Sequence, residues 1–135
     1  MAARSKARKR ALDVLYAAEL RGEGAVEALD RAIAAGEGPT NDYTSVLVRG
    51  VDEHRPRIDE VLSSYAEGWT LPRMPAIDRN VLRLGLWELL WADDVPASVA
   101  ISEAMALVTD LSTDESPAFV NGVLGAISRA GVTVD

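Results

Sequence analysis

Residues 74–92, with the sequence MPAIDRNVLRLGLWELLWA, are the most apolar stretch of the chain and predict one long helix. Pro75 lies in the first turn, where a helix tolerates proline because the backbone N–H groups there have no intrahelical partner. Apolar side chains cover most of the circumference and leave a narrow polar stripe of Arg79, Asn80 and Arg83. Such a helix belongs in the middle of a bundle, and its internal charges make it unsuited to crossing a membrane.

Glu88 is the exception on this helix, because it has the spacing of the apolar residues Ile77, Val81 and Leu84. A carboxylate on an apolar face requires hydrogen-bond donors, since burying an unpaired charge is very costly. We therefore expect Glu88 to be buried and to accept hydrogen bonds from backbone N–H groups or a hydroxyl near residues 98–102.

Six further segments show the apolar spacing of helices, and no segment alternates apolar and polar residues over the length of a strand. They are residues 5–20, 25–35, about 41–54, about 56–65, 98–111 and 112–130. Asn121-Gly122 in the last segment is also a hairpin signal, but the flanking strands would be only about three residues long, which favours the helix. The sequence therefore predicts an all-α fold of seven helices in one domain spanning residues 1–135.

Positive charge is concentrated at the start of the chain. Residues 1–21 hold six Lys or Arg against two acidic residues, whereas the remainder holds eight against nineteen and the formal net charge is −7. This distribution argues against general coating of DNA but allows a localised anion-binding patch. Cations near a helix N-terminus oppose the macrodipole, which slightly favours a functional role over a merely solvated face.

The residue types needed for most catalytic sites are scarce. The chain has no cysteine and one histidine, His54, so neither a catalytic triad nor a zinc site can be assembled. It also lacks a glycine-rich phosphate loop and a Gly-x-Ser-x-Gly elbow. We expect a binding protein rather than an enzyme, with no cofactor and no metal. Because no signal peptide is recognisable, we expect it in the cytoplasm.

Four segments carry more specific motifs: ARKRALDVLYAAEL, DRNVLRLGLWELL, DVPASVAISEAMALV and SPAFVNGVLGAI. In order and spacing they resemble the NusB family of transcription antitermination factors, and the resemblance covers essentially the whole chain. It implies a NusB-like fold of seven helices in two small bundles. It also implies binding of the boxA segment of ribosomal RNA transcripts together with the ribosomal protein NusE, in a complex that helps RNA polymerase read through terminators.

The resemblance implies two binding surfaces. The RNA surface corresponds to the start of the first helix and the start of the last, here Arg4, Lys6, Arg8, Lys9, Glu115 and Phe119. The surface for the protein partner corresponds to Tyr16, Leu20 and Asp78. Pro117-Ala118 stands where relatives often have a polar or basic pair. We therefore expect an RNA site that is weaker, or one that depends more on the N-terminal residues.

Three alternatives remain open at this stage. Phe119 has helical spacing with Val120 and Val123, so it belongs either to the core or to a surface on which RNA bases stack. A similar helical domain precedes the catalytic domain of Sun-type rRNA cytosine methyltransferases, but here we expect no such domain, and no cysteine is present to attack the pyrimidine. A structural module that forms a homodimer is the third alternative, and the sequence does not decide between monomer and homodimer.

Overall fold

The computed structural model describes residues 2–134, which form α-helices joined by short loops and contain no strand. The helices are α1 (Ala2–Arg21), α2 (Ala25–Ala34), α3 (Asp42–Glu53), α4 (Arg55–Tyr65), α5 (Ala76–Trp91), α6 (Ala97–Leu111) and α7 (Ser116–Ala130), with a short 3-10 turn at Leu71–Arg73. The predicted all-α fold of seven helices is confirmed. The chain divides into unit 1, Met1–Glu53, and unit 2, His54–Asp135, in agreement with two small bundles. The assignment of both units to one domain spanning residues 1–135 stays a prediction.

Unit 1 is a three-helix arrangement in which α1 packs against both α2 and α3. Its core consists of small and aliphatic side chains: Ala7, Ala11, Leu12, Leu15 and Ala18 on α1, Leu29 on α2, and Leu47, Val48 and Val51 on α3. The buried hydroxyl of Thr44 donates to the carbonyl oxygen of Ala7 at 2.9 Å. Asn41 Oδ1 accepts from the backbone N–H of Tyr43 at 2.9 Å and thereby caps the start of α3.

Unit 2 is built around α5, which packs against α4, α6 and α7. Every residue from Asn80 to Glu88 is buried, as predicted for a helix in the middle of a bundle. Gly85 allows the close approach of its neighbours, because a Cβ atom there would lie 2.9 Å from Leu124 Cδ1 and 3.4 Å from Ala104 Cβ. A side chain at position 85 would therefore require the Leu124 side chain to shift.

Two residues of the polar stripe of α5, Asn80 and Arg83, are buried as well, although polar residues on a helix usually face solvent. Arg83 is 5% exposed, and its Nε and Nη2 atoms donate to the two carboxylate oxygens of Asp59 at 2.9 and 3.1 Å. Asn80 is buried and donates to the carbonyl oxygen of Ala76 at 2.9 Å. Satisfied hydrogen bonds therefore allow these polar groups to lie inside unit 2.

Glu88 is 2% exposed, which confirms the predicted burial. It also has an interaction partner within the protein. The hydroxyl of Ser102 donates to the carbonyl oxygen of Val99 at 3.2 Å, so this hydroxyl is occupied locally. A hydrogen bond from residues 98–102 to Glu88 stays a prediction.

The last helix begins at Ser116, four residues later than predicted, and runs through Asn121-Gly122 without a hairpin. The start is later because the Ser116 hydroxyl accepts from the backbone N–H of Thr113 at 3.2 Å, which holds residues 113–116 in a turn. Gly131 ends α7 with φ 66°, in the left-handed region that favours glycine.

Candidate nucleic-acid interface

The first two turns of α1 are fixed to α3 through Tyr43. Arg4 and Arg8, one turn apart, place their guanidinium carbons 4.1 and 5.7 Å from the centroid of the Tyr43 ring. Asn41 Nδ2 donates to the carbonyl oxygen of Ala3 at 3.2 Å, so the loop before α3 also contacts the first turn of α1. Arg8 is only 4% exposed. A cation that contacts phosphate is expected to be exposed, so the burial of Arg8 differs from this expectation. Arg4 is only partly buried.

The two lysines of the predicted RNA surface are the more accessible cations. Lys6 is exposed beside a shallow depression of about 560 Å³ that it lines with Asp42. Lys9 Nζ lies 2.8 and 3.0 Å from the carboxylate oxygens of Asp13, and both side chains are about half exposed. An exposed pair one turn apart contributes only about 0.3–0.5 kcal/mol, so Lys9 can exchange Asp13 for a phosphate at little cost.

Tyr16 and Leu20 lie one turn apart further along α1, on the same face of the helix. Tyr16 is half-buried, whereas Leu20 is 67% exposed, an unusual amount for a leucine on a helix that otherwise packs into unit 1. An exposed apolar side chain next to a tyrosine is suited to contact with a protein. Their role in binding a partner stays a prediction.

A second groove in unit 1, of about 580 Å³, lies between α1 and α2 and is lined by Arg10, Arg21 and Arg31. Arg31 Nη2 donates to both carboxylate oxygens of Glu23 at 2.9 and 3.0 Å. This hydrogen bond lowers the pKa of Glu23 and raises that of Arg31. Because Glu23 neutralises Arg31, the groove is a weaker candidate for binding an anion than the start of α1.

In unit 2, a cleft of about 340 Å³ lies where α5 and α7 begin. It is lined by Trp69, Pro75, Asp78, Thr113, Glu115, Ser116 and Phe119. The cleft brings together Glu115 and Phe119, which were predicted to bind RNA, and Asp78, which was predicted to bind a protein partner. Phe119 is half-buried, unlike the fully buried Val120 that follows it. Phe119 therefore lines this cleft and does not belong to the core.

Asp78 is 3% exposed and serves to connect helices. Its Oδ1 atom accepts from the Ser112 hydroxyl at 2.6 Å, and its Oδ2 atom accepts from the Ser116 hydroxyl at 2.9 Å. The start of α5 is thereby tied to the end of α6 and the start of α7. A carboxylate held in this way offers little surface to a partner, although the cleft reaches it.

Trp69 lies in the connector between α4 and α5 and lines the same cleft. Its side chain is 50% exposed, and its ring centroid lies 6.1 Å from that of Phe119 with the planes tilted by 58°. Gly68, with φ 77°, turns the chain after α4, and Leu71 rather than Trp69 provides the buried side chain of this connector. This segment has no periodic pattern of apolar residues, so Trp69 was missed as a residue of the site.

Within residues 2–134, no group of His, Asp or Glu side chains has an arrangement that could hold a metal ion. No helix in this range is long and apolar enough to cross a membrane. Residues 2–134 offer accessible cations on α1 and an aromatic cleft at the start of α7. Cations and aromatic rings are the two features by which proteins bind single-stranded nucleic acid.

Comparison with known proteins identifies one family. The model of the NusB family matches residues 5–129. The transcription antitermination protein NusB of Nocardioides sp. is 78% identical over 129 residues, which cover 96% of each chain. The structure of T. maritima NusB superposes with a TM-score of 0.83 and 32% identity, covering 93% of this chain and 90% of that one. A chain in a crystal structure of antitermination factors NusB and NusE in complex with dsRNA has a TM-score of 0.82, 30% identity, and coverage of 96% and 98%.

Proposed function

The chain belongs to the NusB family, and on this basis we propose that it is a transcription antitermination factor that binds RNA together with NusE. The proposal is supported by the 78% identical relative, which carries that name, and by the similar fold in a complex of NusB, NusE and RNA. It requires no catalytic group. It also places the protein in the cytoplasm with RNA polymerase, as part of an antitermination complex.

The RNA we propose is the boxA segment of ribosomal RNA transcripts, held as a single strand. Proteins bind single strands with cations along the backbone and aromatic rings on which bases stack. The observation that carries this proposal is the exposure of Lys6 and Lys9 on a helix whose first turns are fixed by Tyr43. The rest of the chain is acidic, so RNA is repelled elsewhere and non-specific affinity stays low.

The protein partner is proposed to contact Leu20 and Tyr16 on α1. Replacing Leu20 with Ser should weaken NusE binding by about 1 kcal/mol, or about fivefold in Kd, because an exposed apolar contact is lost. Folding should be unchanged, since Leu20 is 67% exposed. Isothermal titration calorimetry with purified NusE measures the effect.

Ile33→Ser provides the matched control for Leu20→Ser, because Ile33 is a 47% exposed aliphatic residue of the same unit. It should bind NusE like the wild type. If Leu20→Ser binds NusE with unchanged affinity, or if both variants lose affinity equally, Leu20 does not belong to the partner surface.

The proposed function is tested by comparing boxA RNA with a scrambled RNA of equal length, with and without NusE. Fluorescence anisotropy should show tighter binding of boxA, and NusE should increase the difference by adding its own contacts to the same RNA. Equal affinity for the two RNAs in the presence of NusE would refute the proposal. Analytical ultracentrifugation of the same samples tests the alternative of a homodimer, which would persist when RNA is added.

A further inference from the structure

The first two turns of α1 carry the proposed phosphate contacts but bury very little apolar surface. Of residues 3–10, only Ala7 and Arg8 are buried, whereas the larger buried side chains of α1, Leu12 and Leu15, come later. The first turn has no acidic residue, and the cations near it oppose the helix macrodipole. Helix ends with few buried contacts open locally at a low cost in free energy. These turns therefore depend on contacts other than hydrophobic burial to stay helical.

Tyr43, in the first turn of α3, provides an aromatic contact for two of the cations on α1. The guanidinium carbons of Arg4 and Arg8 lie 4.1 and 5.7 Å from the centroid of its ring, both within the distance of about 6 Å that a cation–π contact requires. Arg4 and Arg8 are one turn apart, so a single ring contacts both of the first two turns. Because Arg8 is 4% exposed, its contact is largely shielded from water, which strengthens a cation–π interaction.

Two hydrogen bonds accompany the contacts of the Tyr43 ring. Asn41 Nδ2 donates to the carbonyl oxygen of Ala3 at 3.2 Å, and the hydroxyl of Thr44 donates to that of Ala7 at 2.9 Å. Asn41 also accepts from the backbone N–H of Tyr43 and so fixes the start of α3 itself. Asn41, Tyr43 and Thr44, which we call the α3 anchor, thus contact four residues in the first two turns of α1.

The ring of Tyr43 holds a different face of α1 from the one that carries the exposed lysines. At about 100° per residue, the mean direction of Arg4 and Arg8 differs by about 150° from that of Lys6 and Lys9. The cation–π contacts of the α3 anchor therefore leave Lys6 and Lys9 accessible to RNA. This geometry separates the residues that hold the helix from the residues that contact phosphate.

We propose that the α3 anchor is a positioning element for RNA binding, which keeps the first two turns of α1 helical without touching RNA itself. The inference rests on the proposed function and deepens it by assigning a role to residues outside the RNA surface, above all Tyr43. Only the helical form presents Lys6 and Lys9 on one side of α1. When the binding-competent form is only partly populated, the apparent affinity falls by that fraction. Bound RNA should in turn stabilise these turns, because such coupling is reciprocal.

Tyr43→Leu tests the inference, because it removes the aromatic ring but keeps an apolar side chain and the net charge. Two cation–π contacts correspond to about 5- to 30-fold in an equilibrium constant. In the free protein, hydrogen exchange of the backbone amides of residues 6–10, measured by NMR, should be faster by about this factor. The affinities for boxA RNA and for scrambled RNA should fall equally, by no more than the same factor. Tyr43→Phe keeps the ring and should retain most of the protection and of the affinity.

The salt dependence of binding separates positioning from phosphate contact. A variant that loses a phosphate contact has a shallower plot of log affinity against log salt. Tyr43→Leu removes no charge, so it should lower the affinity at every salt concentration and keep the wild-type slope. A shallower slope in Tyr43→Leu would mean that phosphate contacts themselves are lost, which would overturn positioning as the role of the α3 anchor.

Two further variants complete the test. Asn41→Ser keeps a side chain that caps α3 but removes the amide that donates to Ala3, so it should speed exchange at residues 6–10 and weaken RNA binding. It carries the test if circular dichroism shows that Tyr43→Leu is unfolded. Tyr65→Leu is the matched control, because Tyr65 is a half-buried tyrosine of α4 in unit 2. It should change neither the exchange at residues 6–10 nor the affinity for RNA.

The outcomes distinguish this inference from the proposed function. If boxA is preferred over scrambled RNA with NusE, but folded Tyr43→Leu matches the wild type in exchange and affinity, the inference fails and the proposed function stands. If Tyr43→Leu speeds exchange at residues 6–10 and weakens both RNAs alike, but boxA is not preferred, the inference stands and the proposed function fails. If Tyr43→Leu weakens RNA binding while exchange in the free protein is unchanged, Tyr43 contacts RNA directly, which overturns the inference.

Discussion

Replacing Asp59 with Ala should lower the free energy of unfolding by about 3 kcal/mol. Arg83 is nearly inaccessible, with 6% of its side chain exposed, and Asp59 accepts from both its Nε and Nη2 atoms. Removing one partner of such a pair leaves a buried charge without compensation, which typically costs about 3–5 kcal/mol. The lower end of this energy range applies here because 29% of the Asp59 side chain is exposed. Urea-induced unfolding measures the change.

The control for Asp59→Ala lies one residue further along α4. Glu60 pairs with Arg57, but their side chains are 66% and 48% exposed. Glu60→Ala should therefore cost less than about 1 kcal/mol, as expected for a surface ion pair. If Asp59→Ala and Glu60→Ala have equal effects, the Arg83 ion pair does not hold α4 to the central helix.

Replacing Asp78 with Ala should destabilise the protein by about 2–4 kcal/mol, because it removes two charge-assisted hydrogen bonds from a buried site. Ser112 and Ser116, the two donors, would each lose this carboxylate acceptor, although the Ser116 hydroxyl would keep its contacts with Thr113 and Ser112. Asp78→Lys should be worse, because it places an unpaired cation at a position that is 3% exposed. The melting temperature and the midpoint of urea unfolding measure both variants.

Asp114→Ala is the matched control for Asp78→Ala, because Asp114 is an exposed acidic residue near the same cleft. It should change stability by no more than about 0.5 kcal/mol. If Asp78→Ala retains full stability but loses affinity for NusE, Asp78 belongs to the partner surface and its contacts with Ser112 and Ser116 are dispensable. A change of Asp78 to Lys is therefore not a clean probe of partner binding, since we expect it to disturb the fold as well.

The architecture could be predicted from the sequence because it follows from local periodicity. The largely apolar circumference of residues 74–92 predicted a central helix, and α5 is that helix. The spacing of Glu88 with Ile77 and Val81 likewise predicted its burial. The start of α7 was placed too early because the turn before it depends on the Ser116 hydroxyl, which also bonds Asp78, 38 residues away in the sequence.

The accessibility of the site residues was harder to predict. Arg8 was grouped with the other cations at the start of α1, yet it is buried against Tyr43. Its spacing of four from Leu12 and seven from Leu15 places it on the apolar face, a signal that could have separated it from Lys6. Trp69 lies in a connector without periodicity, and its position beside Phe119 depends on tertiary packing that no local pattern encodes.

The claim that RNA is bound at the start of α1 is tested most directly by the salt dependence of boxA affinity. If about three or four phosphates are contacted, a plot of log affinity against log salt should have a slope of about −2 to −3, at roughly −0.7 per contact for single strands. Replacing Lys6 and Lys9 with Ala should reduce the magnitude of this slope by about 1.4 and weaken boxA and scrambled RNA alike.

Arg57→Ala combined with Arg73→Ala removes two cations from unit 2 and provides a control with the same change in net charge. This double variant should keep the wild-type slope, because neither arginine belongs to the proposed RNA surface at the start of α1. A slope and an affinity that are unchanged in the Lys6 and Lys9 double variant, or a slope that falls equally in both double variants, would contradict RNA binding at the start of α1.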